Sequence, residues 1–140
     1  MKITSSILIQ ANASTVWQIL MDFKAYAEWN PFIRSIKGVP HIGQQLQVDI
    51  GTMKFKPIVQ TKQYNKHFAW LGTLWFKGVF DGLHRYEINE IDEQTCEFVH
   101  SEEFSGLLVP LLKQKLKTET YQGFVAMNEA LKQRAEHTSL

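Results

Sequence analysis

The chain of 140 residues contains one cysteine, Cys96, so it cannot form an internal disulfide. That fits a reducing compartment. No apolar run approaches the ~18 residues that a membrane-spanning helix needs. The opening MKITSSILIQANAS is interrupted by Gln10 and Asn12 and lacks the apolar core of a signal peptide. These absences point to a soluble, cytoplasmic protein. An excess of either charge is also missing: 15 Lys and Arg stand against 14 Asp and Glu. Neither a nucleic-acid partner nor stable membrane insertion is therefore expected. Glycine-rich phosphate loops, nucleophile elbows, cysteine clusters, repeats and linkers are all lacking. The expectation is one domain over 1–140 with no cofactor.

Aromatic side chains are what the sequence has in plenty, with four Trp, four Tyr and nine Phe. Large rigid rings either fill a core or line a hollow one, and composition does not choose. Along the chain, Ile3, Ile7 and Ile9 share one face of a first strand over 3–11. Asn12 and Ser14 are capping residues, and Val16, Leu20 and Phe23 in STVWQILMDF recur at helical spacing. A second short helix in AYAEW ends at Asn30, which Pro31 pushes out of the helical region. Strands follow: QQLQVDI, then MKFKPIVQTK after a tight turn at Gly51-Thr52, then HFAWLGTLWF with Phe68, Trp70 and Leu74 on one face. Pro57 donates no ladder hydrogen bond, so it belongs at an edge or a bulge. From Leu108 onward the period changes. Leu108, Leu112, Leu116, Thr120, Phe124, Met127 and Leu131 form the stripe of a long amphipathic helix. The fold class is α+β, with an antiparallel sheet curled around that helix.

The stretch HRYEINEIDEQTCEFVHSEEF, residues 84–104, reads as two strands reversing at Asp92-Glu93-Gln94. In that register Ile88 faces Phe98, Tyr86 faces His100, and His84 faces Glu102. A slip of one residue would turn Phe98 outward. One face thus combines apolar residues with two histidines, a tyrosine and a carboxylate. Cys96 falls beside Phe98 as a small buried hydrophobe.

Four segments together resemble the SRPBCC superfamily: ASTVWQILMDFKAYAEWNPF, HRYEI, EEFSGLLVPLL and GFVAMNEALKQRAE. More narrowly, the chain resembles its polyketide cyclase/dehydrase and lipid-transport-like branch, related to START domains and the birch-pollen allergen. The resemblance implies a helix-grip fold. A seven-stranded curved antiparallel sheet wraps the long C-terminal helix, two short helices follow the first strand, and a hydrophobic cavity lies between helix and sheet. It implies a hydrophobic small-molecule ligand of lipid, polyketide or aromatic type, bound by a carrier or sensor. The alternative is a cyclase or dehydratase with cavity His, Glu or Tyr as acid and base. No motif here matches a specific catalytic set, so no catalytic residue is assigned.

In that fold the expected ligand-binding residues are Trp29, Phe55, Trp70, His84, Tyr86, His100, Glu102, Phe124 and Met127. Trp29 is expected over the cavity mouth. Gly123, costly in a helix, leaves room for a ligand or for Trp70. Three readings of the polar face stay open: a self-satisfied structural cluster, a ligand-orienting wall, or an acid–base set with His84 or His100 as base and Glu102 or Tyr86 as acid. Two histidines and a glutamate could hold zinc, but strand alternation alone produces their spacing, so no metal is expected. Burial would raise the Glu102 pKa and a protonated histidine would lower it. The assembly is expected to be a monomer or homodimer, the latter through an edge strand bearing Trp75.

Overall fold

The computed structural model describes residues 1–74 and 76–138, so the Trp75 expectation lies outside the described residues. Strand β1 (Lys2–Ile9) leads into α1 (Ala13–Met21), where the Asn12 side chain accepts from the Thr15 backbone N–H at 2.8 Å. This satisfies one donor that the helix start would otherwise leave bare. A 3₁₀ turn (Phe23–Ala25) joins α2 (Tyr26–Trp29), which stops at an extended Asn30.

Next come β2 (Ser35–Lys37), β3 (Gln47–Asp49), β4 (Lys54–Phe55), β5 (Ile58–Gln63), β6 (His67–Leu74), β7 (Phe80–Asp92) and β8 (Thr95–Ser105). They form two sheets instead of one with seven strands: β1-β8-β7-β6-β5 and β2-β3-β4. The segment MKFKPIVQTK, which reads as a single strand, breaks at Pro57. Its first part pairs with β3 and its second with β6. Proline lacks the N–H that would continue the ladder. The two sheets stay joined because Leu46 donates to the Pro57 carbonyl at 2.8 Å and Val59 to the Gln44 carbonyl at 3.0 Å.

The chain closes with α3 (Val109–Lys115), a π turn (Leu116–Thr120) and α4 (Tyr121–Thr138). The stripe explains the π turn. Steps of four from Leu108 to Phe124 drift around an ideal helix of 3.6 residues per turn. A wider turn takes that drift back and keeps both ends facing the sheet. Helix α4 lies against β1, β8 and α1, and buries Phe124, Met127, Asn128, Leu131 and Ala135. The helix-grip architecture therefore stands, with the sheet divided.

Asn30 and Gly123 locate one further contact. The Asn30 side chain accepts from the N–H groups of Phe32 (2.9 Å) and Ile33 (2.8 Å), a local turn that aims Phe32 inward. The Phe32 ring then lies over Gly123, where an added Cβ would collide with a ring carbon. Gly123 therefore makes room for Phe32, not for Trp70. A Gly123→Ala substitution is expected to destabilise the fold. Overpacking costs about 1–3 kcal/mol, against about 1 kcal/mol of helix propensity gained. Chemical denaturation of Gly123→Ala, Phe32→Leu and the double variant checks this. The double variant is expected to be more stable than the sum of the singles allows.

Candidate functional site

The β7–β8 pairing has the register read from sequence: Ile88 opposite Phe98, Tyr86 opposite His100, and His84 opposite Glu102. All three pairs face the helix. His100 (0 % exposed), Tyr86 (1 %) and His84 (3 %) are enclosed. Burial of three polar rings requires partners, and a chain of hydrogen bonds supplies them. Asn128 donates from its amide to the Ser5 hydroxyl at 3.3 Å. Its carbonyl oxygen lies 3.1 Å from His100 Nδ1, which must therefore carry the proton. His100 Nε2 is then an acceptor, 2.7 Å from His84 Nε2, so His84 donates there. That assignment leaves His84 Nδ1 as a bare lone pair, and this buried atom has no partner.

Aromatic faces complete the enclosure. Trp70 stacks on His84 at 4.4 Å and Phe124 on His100 at 3.8 Å. Burial holds both imidazoles below their usual range, His100 down to about 3 and His84 well below 6.5, the neighbouring His100 adding to the effect at His84. The pair is neutral at physiological pH.

Glu102 behaves differently. Although it sits directly across the ladder from His84, it makes no hydrogen bond to it, because His84 turns diagonally to His100. The carboxyl lies over Gly82, where an added Cβ would collide with an oxygen. Burial pushes its pKa up to about 8, and no protonated histidine opposes the shift. At neutral pH Glu102 is mostly a carboxylic acid, able to donate a hydrogen bond.

Glu102 opens onto a cavity of about 250 Å³ between the sheet and the first turns of the C-terminal helix. Phe55, Trp70, His84 and Glu102 line it, as the sequence suggests, together with Phe32, Gly72, Phe80, Gly82 and Phe104. Ile50, Thr52 and Met53 close one side, and Leu112, Lys115, Leu116, Glu119 and Thr120 form the helical wall. Phe80 and Phe104 stack at 5.6 Å. Tyr86, His100, Phe124 and Met127 lie deeper in the core and do not line the cavity. The Tyr86 hydroxyl is 3.4 Å from that of Tyr26, which donates to the Leu20 carbonyl at 2.7 Å. Trp29 is away from the mouth. It packs edge-on to Tyr26 and, with α4 residues Ala130 and Arg134, edges a shallow surface depression. That is about 20 Å along the helix from Thr120, at 1.5 Å per residue.

Several lining residues escape a reading that stops at the His84–Glu102 pair. The same alternation, continued outward, places Phe80, Gly82 and Phe104 on the inner face. Asn128 was signalled by its position four residues after Phe124, a polar residue on an apolar stripe. Phe32 had only the NPF turn to announce it.

The sequence matches, over residues 1–136, the family described as polyketide cyclase/dehydrase and lipid transport. The chain belongs to this family. No curated protein matches it in sequence. Among solved structures, a hypothetical protein from Helicobacter pylori superposes with a TM-score of 0.82 at 14% identity, over 96% of this chain and 88% of that one. The Zhui aromatase/cyclase from a Streptomyces species gives 0.77 at 17% identity, over 98% and 94%. A START superfamily protein from Mycobacterium smegmatis gives 0.75 at 21% identity, over 98% of both. At these identities the likeness is one of fold. Membership accords with the helix grip and its hollow, and supports a hydrophobic ligand-binding or cyclase role.

The two buried imidazoles and the partly buried Glu102 give a pH signature. Between pH 4.5 and 6.5 the unfolded chain holds two imidazole protons that the fold excludes, while the fold alone holds the Glu102 proton. The unfolded state binds more protons, so stability rises with pH in this range. Above 6.5 only the Glu102 difference remains, the fold binds more protons, and stability falls up to about pH 8. Urea midpoints are expected to peak near pH 6.5. Glu102→Gln is expected to remove the alkaline decline and leave the acid limb in place.

Proposed function

We propose that this protein binds a compact hydrophobic small molecule in the cavity above Glu102, as a cytoplasmic carrier or sensor. The observation that carries this reading is a hollow walled by Phe32, Phe55, Trp70, Phe80 and Phe104, into which one uncharged carboxylic acid projects. Mostly apolar walls with a few placed polar groups, here Glu102 and His84 on the sheet and Lys115 and Glu119 on the helix, are the usual composition of a small-molecule site. A volume of about 250 Å³ suits a one- or two-ring aromatic or a short acyl group better than a whole phospholipid. Glu102 would donate its proton to an oxygen of the ligand, fixing which end enters first. Ligand-binding roles for the deeper residues Tyr86, His100, Phe124 and Met127 would be indirect, by holding His84 and Trp70 in place. Trp29 would serve only to anchor α2.

A second reading is favoured by one specific observation. His84, whose buried Nδ1 is unpartnered, lines the same cavity as the protonated Glu102. A base and an acid at one cavity are what an aldol-type cyclisation or a dehydration requires. In that case His84 takes a proton from a carbon next to a carbonyl, and Glu102 protonates the carbonyl oxygen.

Native mass spectrometry of protein purified from its own host is expected to find a retained apolar molecule. Leu112→Trp, placed on the lightly packed helical wall, is expected to fill the hollow and abolish binding of that molecule without lowering the melting temperature. Glu102→Leu is expected to weaken binding about tenfold, the worth of one hydrogen bond. A carrier retains binding in His84→Ala. A cyclase retains binding in that variant but loses turnover of a linear polyketide-type substrate. An empty protein, with no melting shift across a lipid and polyketide panel, would overturn both readings.

A further inference from the structure

The net charge of the chain conceals a local concentration. Residues 106–118, GLLVPLLKQKLKT, hold three lysines and no acid. Helix α3 and the π turn built from this segment bury no residue at all. Leu112 and Leu116 face the cavity, whereas Leu107 and Leu111 stand 81 % exposed on the outer side. A third large apolar residue is brought to the same place. The loop before β7 carries Phe76, 77 % exposed, and is tied to the helix start. Leu107 donates to the Gly78 carbonyl at 3.1 Å and Leu108 to that of Val79 at 3.0 Å. The tie is close because Gly106, at φ +118°, admits a backbone approach that any side chain would block. Phe76, Leu107 and Leu111 therefore project from one corner of the molecule, beside the cavity's helical wall. Lys77, Lys113 and Lys117 are exposed beside them. Lys115 is at the cavity and 4.0 Å from Glu119, the nearest acid along the helix.

Largely exposed leucine and phenylalanine next to lysines that make no ion pair among the described residues form the two halves of an interfacial contact. Apolar side chains enter the region between headgroups and acyl chains, and lysines remain at the level of anionic phosphates. We infer that this corner docks reversibly and peripherally on an anionic lipid surface, with the cavity wall facing the bilayer. The ligand of the proposed function then passes between membrane and cavity without crossing water. That last step rests on the cavity reading; docking itself does not. No helix among the described residues is long and apolar enough to cross a membrane, so the contact is one of surface. The wall is suited to the task. A helical segment with no buried residue opens at less cost than the core beneath it.

The test is co-sedimentation of the full chain with two kinds of vesicle, phosphatidylcholine alone and phosphatidylcholine mixed with phosphatidylglycerol. Binding is expected only to the second and is expected to weaken with salt. Leu107→Ser with Leu111→Ser is expected to abolish it. These exposed positions should leave the melting temperature unchanged. Each of Lys113→Gln and Lys117→Gln is expected to lower partitioning about fivefold, the factor that goes with one lysine at such a surface. Lys62→Gln with Lys66→Gln, at the opposite end of β6, is expected to change nothing. Equal binding to both vesicles, binding to neither, or wild-type binding by the leucine variant would overturn the inference. So would retention by an acidic carrier protein in place of vesicles. Uptake of a fluorescent apolar probe in vesicle-free solution, measured on the same variants, separates the two ideas. Probe uptake with no docking sinks only this one, and docking with no probe uptake sinks only the cavity reading.

Discussion

The pairing of β7 with β8 is the constraint from which the interior follows. Once His84 lies opposite Glu102 and Tyr86 opposite His100, every second residue from Phe80 to Ile88 and from Cys96 to Phe104 turns toward the helix. A shift of β7 by one position would send the rings of Phe80, His84 and Tyr86 into water and bring Arg85 and Glu87 inward. The energetic preference for this register is therefore large, and it comes from burial, not from the turn. The same register accounts for the polar groups. Two imidazoles on adjacent strands meet diagonally, and His100 also needs Asn128 from the helix. The hydrogen-bond chain thus spans four elements, β1, α4, β8 and β7, and helps set the height at which α4 sits over the sheet.

Where the hollow falls is decided by small residues and by the rings that use their space. Phe32 fills the notch at Gly123, Phe55 packs over Gly72, where an added Cβ would meet its ring at 3.4 Å, and Glu102 lies over Gly82. Below these contacts, packing is continuous through Phe68, Tyr86, Phe98, Met127 and Leu131. Above them, the helix still spans the sheet but its stripe supplies only half-buried leucines and a threonine. The cavity is the volume those shorter side chains leave unfilled.

Much of this was legible in the sequence because it rests on period and chirality. The register of residues 84–104, the Asn12 cap, the stop at Asn30 and the long helix each follow from a local rule. The divided sheet was half legible. Pro57 marked a disruption, but which partner each half would take depends on the distant strands β3 and β6. The cavity's position was not legible. It depends on Phe32 reaching Gly123 across 91 positions of chain, a contact that neither residue's neighbours announce. The polar wall was read as a pairing of His84 with Glu102. Backbone register gives that neighbour correctly, whereas side-chain direction gives His84 a different hydrogen-bond partner.

The π turn connects the static picture to the way such a site would work. A stripe repeating strictly every four residues cannot lie along one side of a regular α-helix. The helix therefore widens once, between Leu116 and Thr120, beside the hollow. That segment has traded burial for alignment. It keeps Leu112 and Leu116 over the cavity, with Leu116 only partly buried against the core. The cavity is thus bounded on one side by a five-stranded sheet with fully paired inner strands and on the other by the most lightly held helix in the molecule. Free energy of opening is not uniform in such an arrangement, and the helical wall must yield before the sheet. Anything that enters or leaves without unfolding the core has its least costly route past Leu112 and Leu116.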